Sequence, residues 1–415
     1  MELMTKYQYT YFIYPYVIDS NKYSKYMQKL LKNKNCKLRI FEKEKDLHLY
    51  QYFFEDIREY LFWTFNLDKK GIRSLDSMDT ALKATQLAEH ECNVFNYELS
   101  KELQGKIGEK NGIFFDIQKI KIVCFKTGIC FLIFKTELLD NKSFSDVLNF
   151  NYKFREIHSK TYELKEYEKI RLQSDMFKDV KEINGLIKEI TGYTYQAKSH
   201  NWNDEKMIAY SYCCLDQINW NDETDESSIN NLFDKYRMFY PANKQGSDIT
   251  TSKLTKKELY ENKYVHYGIS NAGTVLLTSD INPANYTFAQ QKFQSEYLYT
   301  YILELYKKFL LKKISSDFNS QNNFKKVEKC FLDFTKNLWI QEITDDETGN
   351  MLCKMWEEDL NIQDIFLRLK NKYDILYKRY NIEETSNKNG KLGIAMVMVI
   401  VICVINLILL LGRVV

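Results

Sequence analysis

The stretch Tyr152-Lys153-Phe154-Arg155, with His158 three residues on, is the strongest chemical lead in this sequence. A guanidinium and an ammonium suit phosphate oxygens, and aromatic rings stack on bases. Tyr152, Lys153, Arg155 and His158 are therefore the expected ligand-binding group, with a solvated amphipathic turn as the open alternative. The ligand expected there is a nucleotide or oligonucleotide signal, or a protein partner. Catalytic chemistry has no comparable lead. The sequence holds no phosphate-binding glycine loop, no H-E-x-x-H, no G-x-S-x-G and no G-x-G-x-x-G. Its five histidines are not at metal-ligand spacing, and "EHEC" at 89–92 reads as an ordinary helix surface. The acids Asp222, Glu223, Asp225 and Glu226 read as a solvated helix start. A protein that is not an enzyme, with no cofactor and no catalytic or metal residues, is the expectation.

The elements that must carry these residues divide the chain in four. Residues 1–285 read as a cytosolic α/β sensor-like domain. "YTYFIYPYVI" is strand-like, with Pro15 suiting an edge or a bend. "KLRIF" is a short strand, and residues 174–191 and 206–214 read as a helix and a strand. Two hairpins stand out: residues 120–138 turn at Lys126-Thr127-Gly128, and "YVHYGISNAGTVLLTSD" turns at Asn271-Ala272-Gly273. The first is apolar on both faces and belongs in the middle of a sheet, where Cys124 and Cys130 face each other as buried small side chains. Nine cysteines without a C-x-x-C pair fit reduced thiols.

Residues 286–384 contain no proline and read as a helical stalk of three helices, the third opened by a capping box of Thr344 and Glu347. Within it Ile362, Phe366, Leu369, Tyr373, Leu376 and Tyr380 alternate steps of four and three, a coiled-coil-like seam. Packing on the two preceding helices is the alternative. Residues 385–391 form a polar juxtamembrane break. Residues 392–411 are 20 uncharged residues, enough for a transmembrane helix of about 30 Å. Lys388 and Lys391 before the run, against Arg413 after it, place the body on the cytoplasmic side of the cell membrane. The chain is thus expected to be single-pass and tail-anchored in the lipid bilayer. Ala395, Val399, Ile402, Asn406 and Leu409 share a stripe that would line a pore or hold a homo-oligomer.

The balance of 59 basic and 56 acidic residues, a net charge of +3, is too near neutral to argue for a nucleic-acid binder. Richness in Lys, Asn, Ile and Tyr suggests an AT-rich bacterial genome. The fold class expected is an α+β cytosolic domain, a mixed sheet with hairpins, followed by a long-helix stalk and one C-terminal transmembrane helix.

That order of parts, with "FKTGICFLIF" and the stretch "ITDDETGNMLCKMWEEDLNIQDIFLRLKNKYDILYKRY", resembles the CorA-type divalent-cation channels. The resemblance implies an oligomer with a pore on its symmetry axis. It also implies an effector role in bacterial antiviral defence, where a signal bound by the soluble part controls the membrane. The family has two spans joined by a Gly-Met-Asn selectivity loop, whereas this chain has one apolar run ending "LLGRVV", so no residue inherits selectivity. The function expected is an oligomeric, tail-anchored membrane effector or ion channel controlled by its cytosolic domain. The alternative is a membrane-tethered, non-catalytic scaffold or binding module.

Overall fold

The computed structural model describes residues 3–99, 103–108, 112–139, 143–156, 169–174, 179–192, 206–243, 257–318, 324–339 and 342–411. Their frame is a 12-stranded mixed sheet. The strands are β1 (Thr5–Val17), β2 (Cys36–Leu38), β3 (Cys92–Tyr97), β4 (Leu103–Ile107), β5 (Ile113–Phe125) and β6 (Ile129–Leu138). They continue with β7 (Ile170–Gln173), β8 (Lys181–Glu182), β9 (Ile208–Leu215), β10 (Glu258–Asn262), β11 (Val265–Ser270) and β12 (Gly273–Ser279). The order is β10-β11-β12-β9-β1-β6-β5-β4-β7-β8. Only the β12–β9 pair is parallel; all the others are antiparallel. The 13 residues of β5 reach far enough to pair with β4 over Ile113–Ile117 and with β3 over Ile120–Phe125, and β2 then pairs with β3.

Both expected hairpins form. β5 and β6 meet so that Cys124 faces Cys130, both buried free thiols, and Gly128 takes the left-handed turn with φ 89°. A Cβ there would stand 2.3 Å from the Ile18 carbonyl oxygen, so glycine is required. Of the two places that Pro15 suited, an edge or a bend, the edge is excluded: β1 is central, between β6 and β9. Pro15 is tolerated because pairing with β9 ends at Ile13, so the missing N–H has no partner to fail.

Successive side chains on a strand point to opposite faces, and both faces here are apolar. One carries Tyr9, Tyr11, Ile133, Tyr210, Tyr212 and Tyr267 and is called the tyrosine face. The other carries Phe12, Tyr16, Ile120, Ile122, Leu132 and Phe134. The second is covered by α1 (Tyr23–Lys32), α4 (Lys69–Ser77), α5 (Thr80–Leu87), α6 (Phe144–Arg155), α7 (Ile183–Thr191) and α8 (Glu226–Arg237). On the tyrosine face lie α2 (Leu47–Tyr52), α3 (Glu55–Leu61), α10 (Phe288–Gln294), α11 (Glu296–Asp317), α12 (Phe324–Phe334), α13 (Glu347–Asp359) and the start of α14 (Ile362–Leu411). The short α9 (Pro283–Tyr286) leads into them.

The segment read as a stalk therefore contributes to the core. α11 is buried on nearly every side, from Tyr297 to Ile314. Its aromatic and aliphatic residues point to every side, so it settles between the sheet and the other helices, with the buried Glu304 and Lys307 paired to each other. Phe125 stacks on Tyr306 with ring centroids 3.7 Å apart, and Trp356 of α13 donates to Thr274 Oγ1 at 2.8 Å. Such contacts weld α11 and α13 to the sheet. The α13 cap also differs from expectation: Asp346, not Thr344, caps the helix by accepting from the Gly349 N–H at 2.8 Å.

The seam residues lie on α14, which starts after a left-handed Asn361 (φ 53°). Ile362, Phe366 and Leu369 are buried in the core shared with the sheet, and Tyr373 and Leu376 pack against it half-buried. Tyr380 stacks on Phe324 with ring centroids 5.1 Å apart. Inside the chain, this four-and-three periodicity packs against α11 and α12.

The C-terminal expectation is corrected most. The polar break over 385–391 does not interrupt the helix; α14 runs for 50 residues, about 75 Å of rise. The apolar run is the end of that helix and not a separate element. Among the described residues, no helix is long and apolar enough to cross a membrane. The transmembrane helix at 392–411, the tail anchor, the single-pass placement in a cell membrane and the ion channel built on them are accordingly not supported. Of the proposed stripe, Val399 is exposed, while the side chains of Ala395, Ile402, Asn406 and Leu409 lie outside the described residues.

Candidate anion-binding site

Beside the first turn of α11 the tyrosine face opens into a cleft of about 600 Å³. Arg39, Asn96, Tyr97, Glu98, Lys119, Lys121 and Tyr299 are among its lining. Sheet register explains how lysines gather there. One cross-strand row runs Tyr11, Lys135, Lys119 over β1, β6 and β5. The next row runs Ile13, Ile133, Lys121, Asn96 over β1, β6, β5 and β3. Lys119 and Lys135 are directly opposite, an arrangement of like charges that costs roughly 0.2–1 kcal/mol in a sheet.

Few local groups neutralise this patch. Arg39 donates to Asp46 Oδ1 at 2.5 Å and to the Ile40 carbonyl at 2.7 Å, so Asp46 is spent on Arg39 and on the Glu42 N–H. Gln118 occupies Glu137. Glu98 is exposed at the margin. The Lys135 ammonium lies 4.5 Å from the Tyr9 ring centroid and only 3.5 Å from Gln294 Oε1. The Lys121 ammonium lies over the Tyr299 ring, 5.3 Å from its centroid, and among the described residues it has no hydrogen bond or ion pair. The hydroxyls of Tyr299 and Tyr11 and the amide of Asn96 also have no hydrogen bond among the described residues.

The electrostatic consequence is direct. Burial first, and then the charges of Lys119, Lys135 and Arg39, push the Lys121 ammonium down to about 8, with Asp46 pulling the other way. Burial, and then Lys119, push Lys135 down to about 8 as well. An anion seated among these groups would relieve the repulsion and restore both charges. Among the described residues the cleft gathers more donors than acceptors, with Glu98 the carboxylate at its margin.

The residues expected from sequence to bind a ligand are elsewhere. They sit at the end of α6, which packs on the opposite face of the sheet. Arg155 is buried, donates from Nε to the Met207 carbonyl at 3.0 Å and lies over the Phe239 ring at 5.0 Å. Burial pushes its guanidinium down to about 10. It holds the fold. Tyr152 faces the Lys206 ammonium at 5.8 Å, Lys153 sits in the last turn of α6, and His158 lies outside the described residues. The cleft residues were missed, yet a signal existed. Lysines 119, 121 and 135 stand on the face of β5 and β6 that also carries the buried Val123, Phe125, Phe131 and Ile133.

One other cluster has donor atoms near enough for a metal: Glu304, Cys353 and Glu357, within 4.8 Å of one another. Lys307 already supplies the cation there, 2.8 Å from Glu304 and 3.4 Å from Glu357. Among the described residues "EHEC" brings no three donor atoms together; its His90 stacks on Trp63 with centroids 3.6 Å apart. Asp222 pairs with Lys263, and Asp225 caps α8, as a helix start should.

No family model matches the chain, and no curated protein or solved structure matches it. None of these comparisons supports a likeness to CorA-type channels, and the stalk and membrane span that suggested it are not found among the described residues.

Proposed function

We propose that the chain is a non-catalytic binding module that recognises a phosphate-bearing anion in the cleft on the tyrosine face. The observation that carries this reading is Lys121. A half-buried ammonium with no ion pair among the described residues, beside two more lysines and an arginine, is costly unless a ligand adds negative charge. Tyr299 belongs to the first turn of α11, and the far half of α11 packs on α14 through Phe318 and Tyr373, whose ring centroids are 6.2 Å apart. A ligand held at Tyr299 thus touches the helix that supports the long C-terminal one. In a defence system of the kind the resemblance implies, this would be the sensing part.

The test is thermal unfolding of the full chain in increasing pyrophosphate. Ligand that binds only the native state raises the transition by mass action. The transition of the unsubstituted chain and of Lys153→Gln should rise with concentration, and that of Lys121→Gln should not. A rise that survives Lys121→Gln, or is lost in Lys153→Gln, removes the cleft from the reading.

A further inference from the structure

We propose that the anion is a nucleoside phosphate, held by the lysines at its phosphate and by Asn96 and Tyr299 at its nucleoside. This rests on the binding-module reading and names the ligand for the same cleft. Three observations carry it. First, about 600 Å³ is the size of a pocket for a drug-sized organic molecule and far more than a bare phosphate fills. Second, the cleft has two chemistries side by side. Lys119 and Lys121 project from one face of β5, and Asn96 stands directly opposite Lys121 on β3. Opposed residues of an antiparallel pair have Cβ atoms about 4.5–5.5 Å apart. A group bridging them must be anionic at one end and offer both a hydrogen-bond donor and an acceptor close by.

Third, the neutral groups are uncommitted. The Asn96 amide has one carbonyl and one NH₂, and among the described residues neither meets a partner. An amide of this type pairs in two-point fashion with the N6–N7 edge of adenine. The Tyr299 hydroxyl is likewise unmet, so it can donate to a ribose oxygen or a phosphate oxygen. A simple inorganic anion would leave the amide and much of the cleft unused. A sugar phosphate would use the cations but present no base edge to Asn96. An adenosine phosphate uses all of them.

Calorimetric titration of the full chain with AMP, ribose 5-phosphate, adenosine and inorganic phosphate separates the cases. AMP should bind at least tenfold tighter than ribose 5-phosphate, and adenosine alone weakly. Asn96→Ala and Asn96→Ser, checked for unchanged thermal unfolding, should close the gap between AMP and ribose 5-phosphate while leaving the latter's affinity intact. Equal affinity for AMP, ribose 5-phosphate and phosphate overturns the nucleoside assignment but leaves an anion site standing. No binding of any phosphate compound overturns both readings together. A gap that persists in both Asn96 variants shows that other residues read the nucleoside, and it overturns the role given to Asn96.

Discussion

Lys121 occupies a strand position whose neighbours across the sheet, Ile133 and Ile13, are apolar and buried. Its ammonium is charged in the unfolded chain up to its ordinary value near 10.5, and in the folded chain only up to about 8. Between those values the unfolded state holds more protons, so this residue's effect is to make stability rise with pH across that window. Below about pH 8 the charge is retained at a cost. Replacing it with an uncharged chain of similar length should remove the cost. Lys121→Met is expected to raise the unfolding temperature at pH 7 by a few degrees and to flatten the rise in stability from pH 8 to 10.5. Thermal unfolding followed by circular dichroism checks both. A variant less stable than the parent at pH 7 would mean that Lys121 is satisfied as it stands. A stabilising loss of charge is what a site kept for binding rather than for folding should show.

Among the elements, the hairpins were legible because glycine at a turn between two β-branched and aromatic runs admits little else. Gly128 and Gly273 confirm it. The covering helices were legible as helices, but not as core. From sequence, α11 is one long helix of a stalk, and only the wide tyrosine face beneath it explains why it is buried. The binding patch was illegible for a sharper reason. Lys119, Lys121, Lys135 and Asn96 come from three strands, and they become neighbours only when β3, β5 and β6 fall into register. The contiguous Tyr152–Arg155 carried more weight from sequence; in the structure Phe154 and Arg155 are buried, and Tyr152 and Lys153 are half-buried. The seam of α14 was legible as a periodicity, and its partner was not. Its inner face packs in the chain, leaving Ile375 and Ile382 exposed one heptad apart on the outer face. That spacing suits a helix from another copy. Light scattering of the full chain should therefore show more than one copy per particle. The pair Ile375→Glu with Ile382→Glu should reduce it to one copy without changing the unfolding temperature. A parent that is already a monomer excludes assembly through this helix.

At the scale of the molecule, one sheet serves two cores, and the core on the tyrosine face is built from both ends of the chain. Tyr60 and Tyr306 bring their hydroxyls to 3.0 Å, and Phe125, Phe131 and Tyr210 stack or pack on α10 and α11. Residues 1–285 alone would leave that face covered only by α2 and α3 and expose the part beneath α10 to α14 to water. Each fully buried Phe or Leu contributes about 1.5–3 kcal/mol, so losing the covering layer exceeds the stability of an ordinary domain. A chain ending at residue 285 should aggregate or fail to unfold cooperatively by calorimetry. A sharp transition from that fragment would show that the first 285 residues are an independent domain.

The cleft's chemistry is most directly tested by titrating the full chain with sulfate, whose charge does not change between pH 6 and 10. The ammonium group of Lys121 must be protonated to hold it, and burial with the neighbouring charges pushes that group down to about 8. Calorimetry should give an affinity that falls at least tenfold between pH 7 and 9.5 and that is weak and nearly flat with pH in Lys121→Gln. An affinity that is the same at both pH values, or unaltered by Lys121→Gln, would contradict anion binding by this patch of lysines.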